Sequence, residues 1–145
     1  MAAAQFAISD ARFDEREAEI RGIRTAVFTE EQGIDPGIDF DGNDPECVHV
    51  IATNATGSAI GTARMFSDGH IGRMAVLQAY RRQGVGRAML EALMAAASRQ
   101  GLKQVYLNSQ VRVVGFYQAL GFEKSGRPFM EAGIEHICMV RQVTT

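Results

Sequence analysis

Residues 79 to 90 read AYRRQGVGRAML and set three arginines, Arg81, Arg82 and Arg87, around two glycines, Gly84 and Gly86. Glycine lets a backbone approach a ligand closely and take up left-handed angles. The apolar run that follows starts a helix, so the loop's N–H groups lie at a helix N-terminus, where backbone donors and the dipole hold anions. Neighbouring guanidinium groups favour a phosphate. A nucleotide, a coenzyme phosphate and a plain tight turn all satisfy this much.

Two nucleotide signatures fail on the residues present. A Walker A loop needs Lys followed by Ser or Thr after its second glycine, and here Gly86 is followed by Arg87 and Ala88. A dinucleotide fingerprint needs a third glycine, and Met89 stands there, in mid-chain. Calcium fails as well. Counting from Asp39 in DFDGND, an EF-hand wants Gly sixth and Glu twelfth, where this chain has Asp44 and Val50. Cys47 and Cys138 lie in apolar strand-like runs with no CxxC spacing, so they are expected to be buried small hydrophobes rather than zinc or redox groups. No metal site is expected.

These residues must be positioned by a mixed α/β fold. AQFAIS reads as a first strand. Asp14 stands at capping-box spacing from Glu17, and Ile20, Ile23, Val27 and Phe28 share a helical face, predicting a helix over about residues 15 to 29. EEQGIDPGIDFDGNDPE breaks periodicity and reads as a loop. CVHVIAT, AIGTARMF and HIGRMAVL follow as antiparallel strands joined by short turns. The helix after Gly86 ends near Gly101. KQVYLNS is a strand, RVVGFYQAL a short helix stopped by Gly121, and EHICMVRQ a last strand.

With 145 residues, 46% of them apolar and 22% charged, the chain reads as one soluble domain over 1–145. A net charge of -2 argues against nucleic acid as the main partner. The start MAAAQFAISD has neither the charged region nor the apolar core of a signal peptide, and no window reaches the roughly 20 apolar residues that span a bilayer. A cytoplasmic protein with no membrane partner is expected.

The segment Arg81-Arg82-Gln83-Gly84-Val85-Gly86 resembles the [QR]xxGx[GA] signature of the GCN5-related N-acetyltransferases (GNAT), and FYQALGF resembles their later FYxxxGF segment. Both motifs stand in the right order, so the resemblance covers most of the chain. It implies a mixed, mostly antiparallel sheet flanked by helices, with a splayed cleft for acetyl-CoA and no metal. Residues Arg81 to Arg87 would cradle the pyrophosphate, and Met74, Ala75 and Val76 would pair with the pantetheine arm as an added strand would. Asn108, Gln110 and Phe116 would complete the coenzyme site. Tyr117 would protonate the departing thiolate; on its own it reads equally as a packing aromatic beside Phe116 and Phe122. Gln110 and Val113 depart from the Asn and Ala common in the family, leaving Asn108 as an alternative polar contact.

The resemblance further implies direct attack by a primary amine, and Glu31, His49 and His136 are the candidate bases. The run VFTEEQGID together with AGIEHICM resembles a bacterial branch of ElaA type, in which Glu31, Gln32, His49 and His136 would line the acceptor pocket. Between Glu30 and Glu46 there are seven acidic residues and no basic one, a field that suits a cationic acceptor and equally a solvated loop. A homodimer is expected on the resemblance alone. A catalytically silent acetyl-CoA sensor would share the loop and lack turnover.

Overall fold

The alternating apolar residues of the middle of the chain form an antiparallel meander. A computed structural model describes residues 5–144. β1 (Phe6–Ala11) pairs with β2 (Val48–Asn54), β2 with β3 (Ala59–Met65) and β3 with β4 (His70–Val76), each antiparallel. β5 (Gln104–Gln110), β6 (Glu123–Glu131) and β7 (Ile134–Gln142) complete a sheet of order β1-β2-β3-β4-β5-β7-β6. The mixed, mostly antiparallel sheet matches the expected fold class. Among the described residues no helix is long and apolar enough to cross a membrane.

Among the described residues four α-helices flank the sheet: α1 (Phe13–Arg24), a single turn α2 (Pro36–Asp39), α3 (Val85–Arg99) and α4 (Val114–Ala119). α3 carries the main core. Met89, Leu90 and Leu93 are fully buried against Val50, Ile60 and Leu107, and each such leucine contributes roughly 1.5–3 kcal/mol. On the opposite face α1 and its continuation pack Ile23 and Val27 against Ala75 of β4.

Three features depart from the sequence reading. α1 begins two residues before the expected start, capped by Arg12 with no side-chain hydrogen bond. Asp14 is therefore inside the first turn, paired with Arg12, and the capping box does not form. Beyond Arg24 the helix does not end but widens into a π-helical stretch, Thr25–Glu31. β6 was not expected at all: its sequence EKSGRPFME is exposed along its whole length, so no apolar alternation marks it. Gly126 and Pro128 interrupt it, and such residues blunt a sheet edge.

The parallel neighbours β4 and β5 share only the register pairs His70–Tyr106 and Ile71–Leu107. β4 bulges at Arg73, which takes φ +49°, where the register to β3 shifts. A bulge bends its strand. Beyond it β4 stays with β3 through Ala75–Thr62 while β5 stays with β7 through Gln110–His136. A wedge opens between the two C-terminal ends.

The acidic loop folds back on the scaffold as an internal counter-charge. Arg24, 1% exposed, donates to Asp39 at 3.0 Å and to Asp44 at 2.7 Å. Arg64 donates to Asp41 at 3.0 and 2.6 Å and to Asp44 at 2.9 Å. Arg73 donates to the carbonyls of Asp39 and Ile38. The hydrogen bonds from Arg64 hold the Asp41 carboxyl well below the usual range, against a smaller opposing effect of burial. For Asp44 burial pushes upward, and the hydrogen bonds and charges of Arg24 and Arg64 outweigh it.

Both carboxyls are thus harder to protonate folded than unfolded. Their stabilisation is complete above the unfolded value near 3.9 and is lost as pH falls through the depressed folded values. Stability measured by urea titration should therefore be flat near neutrality and drop below about pH 4. Arg24→Ala, which leaves the buried Asp39 carboxylate only its contact with Arg73 at 3.2 Å, should cost about 3–5 kcal/mol in the same assay.

Candidate active site

The loop before α3 presents unsatisfied donors and unpaired cations. Gly84 is the N-cap of α3 at φ +88°, and no side chain caps the helix. Arg82 also takes a left-handed φ of +64°. Arg82 and Arg87 are exposed, and neither has an acidic partner among the described residues. A Cβ on Gly86 would meet Phe116 at 3.4 Å and Met74 at 3.7 Å, ordinary contact distances. Packing would therefore accept alanine, and a helical glycine costs about 0.5–1 kcal/mol relative to it. The residues present fit a phosphate-bearing group approaching from outside the chain.

Arg81 behaves differently from its neighbours. Its guanidinium grips Glu31 with both terminal nitrogens, at 2.9 and 2.7 Å, and its Nε donates to the Val76 carbonyl at 2.9 Å. It ties the end of the π-helical stretch to the end of β4. Gln83 reaches only the Ala79 carbonyl, at 3.4 Å.

On the α3 side of the wedge, α4 brings Tyr117 against β4. Its hydroxyl lies 3.9 Å from Met74 Sδ. The ring packs edge-on to Phe116 at 5.0 Å and to Phe122 at 5.8 Å. Burial, with no charge nearby to favour the phenolate, pushes the hydroxyl up to about 12, so it keeps its proton throughout the neutral range.

On the α1 side the chain assembles Gln32, Gln110 and His136. Gln110 and His136 are register partners on β5 and β7. Gln110 donates to Gln32 at 2.9 Å and accepts from Arg112 at 2.9 Å, so both ends of its amide are engaged. Asn108, two residues earlier on the same face of β5, makes no side-chain hydrogen bond among the described residues. The His136 ring is buried. Its Nδ1 lies 2.7 Å from the Ile134 carbonyl and must donate to it, which leaves the Nε2 lone pair free in the neutral ring. Glu131 stands 3.6 Å from Nε2, and Phe129 stacks on the ring at 6.1 Å.

His49 is not with this group. It lies at the start of β2, three strands from β5 in the sheet, with Nε2 2.8 Å from the Asp44 carbonyl and Phe13 5.2 Å away. Burial pushes its pKa down. Cys47 precedes β2 rather than lying in it, and Cys138 lies opposite Asn108 on β7; both are free and half-buried. Burial raises both thiols, Cys47 to about 11, so neither supplies a thiolate at neutral pH.

Sequence reasoning missed Phe129 and Glu131, because both sit on the strand that no pattern announced. It also missed the arginines that take up the acidic loop. Arg24 falls in register with Ile20, Ile23 and Val27, and a cation on an apolar helical stripe is the signal that it has a buried partner.

A bulged, splayed parallel pair followed by a glycine- and arginine-bearing loop at a helix N-terminus is an acyltransferase frame. The chain belongs to the GNAT family: the family model described as an acetyltransferase (GNAT) domain matches residues 43–143. A provisionally named acetyltransferase of Bacillus subtilis is 36% identical over 126 residues, covering 83% of this chain and 85% of its own. ElaA of Escherichia coli is 31% identical over 130 residues, covering 83% and 84%. Its crystal structure superposes with a TM-score of 0.80 over 94% of this chain and 99% of that one. An acyl-CoA N-acyltransferase from Pseudomonas aeruginosa is 28% identical, with a TM-score of 0.82 over 94% and 99%.

If the unpaired guanidinium groups meet phosphates, Arg82→Ala and Arg87→Ala should each weaken coenzyme A binding by about tenfold or more, since charge-assisted bonds contribute about 1.5–3 kcal/mol. Calorimetry at low salt measures this, and the loss should shrink as salt rises.

Proposed function

We propose that this chain moves an acetyl group from acetyl-CoA to a primary amine by direct attack in a ternary complex. The observation that carries the proposal is the protonated Tyr117 hydroxyl beside Met74 of β4, next to the separation of β4 from β5. The N–H groups of residues 84 to 87, with Arg82 and Arg87, hold the pyrophosphate. From Gly72 to Val76 the β5-facing edge of β4 is unpaired, so its backbone can pair with the amide-bearing arm that carries the thioester. The thioester then lies beside the Tyr117 hydroxyl.

His136 is the base that the geometry favours over Glu31. A lysine-like amine with a pKa near 10.4 is mostly ammonium at neutral pH, so a proton must leave before attack. The bond from Nδ1 to Ile134 leaves the Nε2 lone pair free, with Glu131 3.6 Å from it. Both oxygens of Glu31 are bound to Arg81 instead. The amine nitrogen forms its bond to the carbonyl carbon, the C–S bond breaks, and Tyr117 gives its proton to the sulfur. The ammonium loses two N–H protons in all: one is carried off by the base before attack, and the other, released after attack, restores the Tyr117 phenol whose proton now stands on the sulfur. No cysteine intermediate is needed.

The acidic loop does not by itself select a cationic acceptor, since Asp39, Asp41 and Asp44 are spent on scaffold arginines. Thiol release from acetyl-CoA with a panel of primary amines tests the function. Tyr117→Phe should lower kcat by about 10²- to 10⁴-fold and leave acetyl-CoA affinity within about twofold, because the hydroxyl acts on the departing sulfur and not on binding. Acetyl-CoA binding with no release toward any amine would make the chain a silent sensor instead.

A further inference from the structure

Among the described residues two methionines escape burial, and one of them touches the acid of the site. Met65, Met89 and Met139 are fully buried and Met94 nearly so. Met130 is exposed on the edge strand β6. Met74 is half-buried on β4, in the segment that has parted from β5. Its Sδ lies 3.9 Å from the Tyr117 hydroxyl, whose one hydrogen-bond partner among the described residues it is. Phe116 and Phe122 pack edge-on against the phenol ring and hold it there. On the loop side a Cβ on Gly86 would stand 3.7 Å from the same sulfur. A thioether is a weak acceptor, so the contact leaves the Tyr117 proton available for transfer.

We propose that Met74 is an oxidation site that switches the acid off: a hydroperoxide converts its thioether to the sulfoxide, and the new oxygen traps the Tyr117 proton. The inference rests on the acetyltransfer reading above. With hydrogen peroxide, a lone pair on Sδ takes one oxygen, the O–O bond breaks and water leaves. The sulfur gives up two electrons and the peroxide receives them. The product is polar where the thioether was apolar. A hydrogen bond made by the neutral phenol disfavours the phenolate, and in a buried site that bond is stronger than in water. A hydroxyl bonded to the sulfoxide oxygen points its proton at Met74 and away from the departing thiolate. Cys47 and Cys138 are slower targets, because burial keeps both as thiols.

The test treats the full chain with hydrogen peroxide and removes the oxidant. Peptide masses, acetyl-CoA affinity by calorimetry and thiol release are then read, each protein against its own untreated state. The wild type should gain oxygen on Met74 and lose kcat by about tenfold or more, up to the loss seen in Tyr117→Phe. Its acetyl-CoA affinity should stay within about threefold. Met130→Leu should lose as much as the wild type, and Met74→Leu should stay within about twofold of its own untreated kcat. A methionine sulfoxide reductase should restore the wild type where a thiol reductant alone does not, which separates the effect from cysteine oxidation. Met74 left unoxidised in a chain that gains oxygen on Met130 overturns the switch. So does full turnover by a chain carrying the Met74 sulfoxide, an equal loss in Met74→Leu, or lost coenzyme binding in place of lost kcat. An untreated wild type that binds acetyl-CoA and acetylates no amine overturns the transferase reading and the switch with it.

Discussion

β4 and β5 part company after two register pairs, and most of the site's architecture follows from that separation. Backbone groups on the facing edges are left without sheet partners, and an unsatisfied strand edge in a protein interior is costly unless something pairs with it. The bulge at Arg73 turns β4 away, and β5 remains bound to β7. On the proposed function the open edges pair with the extended, amide-rich arm of the coenzyme, and Tyr117 reaches the gap from α4.

The separation has to be held, and the charge network does so. Arg73, at the bulge, donates to the carbonyls of Asp39 and Ile38, which fastens the loop after the π-helical stretch to β4. Arg24 and Arg64 fix that same loop through Asp39, Asp41 and Asp44. A buried ion pair often gains little over an apolar contact of the same shape. Its use here is positional: the network anchors the segment from which Glu31 and Gln32 reach the two lips.

The loop and the helices around it were legible in the sequence because local rules write them. Gly84 and Gly86, the arginines and the apolar stripe of α3 each carry meaning within a few residues. Long-range pairing was not legible in the same way. Gln110 and His136 are 26 positions apart, and only the β5–β7 register brings them together. The sequence offers His49 and His136 as equivalent strand histidines, and register alone separates them. β6 escaped because an edge strand exposed on both faces has no periodicity to show. The acidic loop looked like a surface field because the arginines that neutralise it lie on α1, β3 and β4.

Acetyl-CoA titration by calorimetry, comparing the wild type with a Gly84→Glu, Gly86→Glu double variant, tests the central claim most directly. Saturable binding by the wild type that disappears in a folded double variant is the expected result, because two carboxylates would fill and repel the phosphate cradle. Equal binding by both proteins would place the coenzyme elsewhere. No binding by the wild type would contradict the account of the wedge altogether.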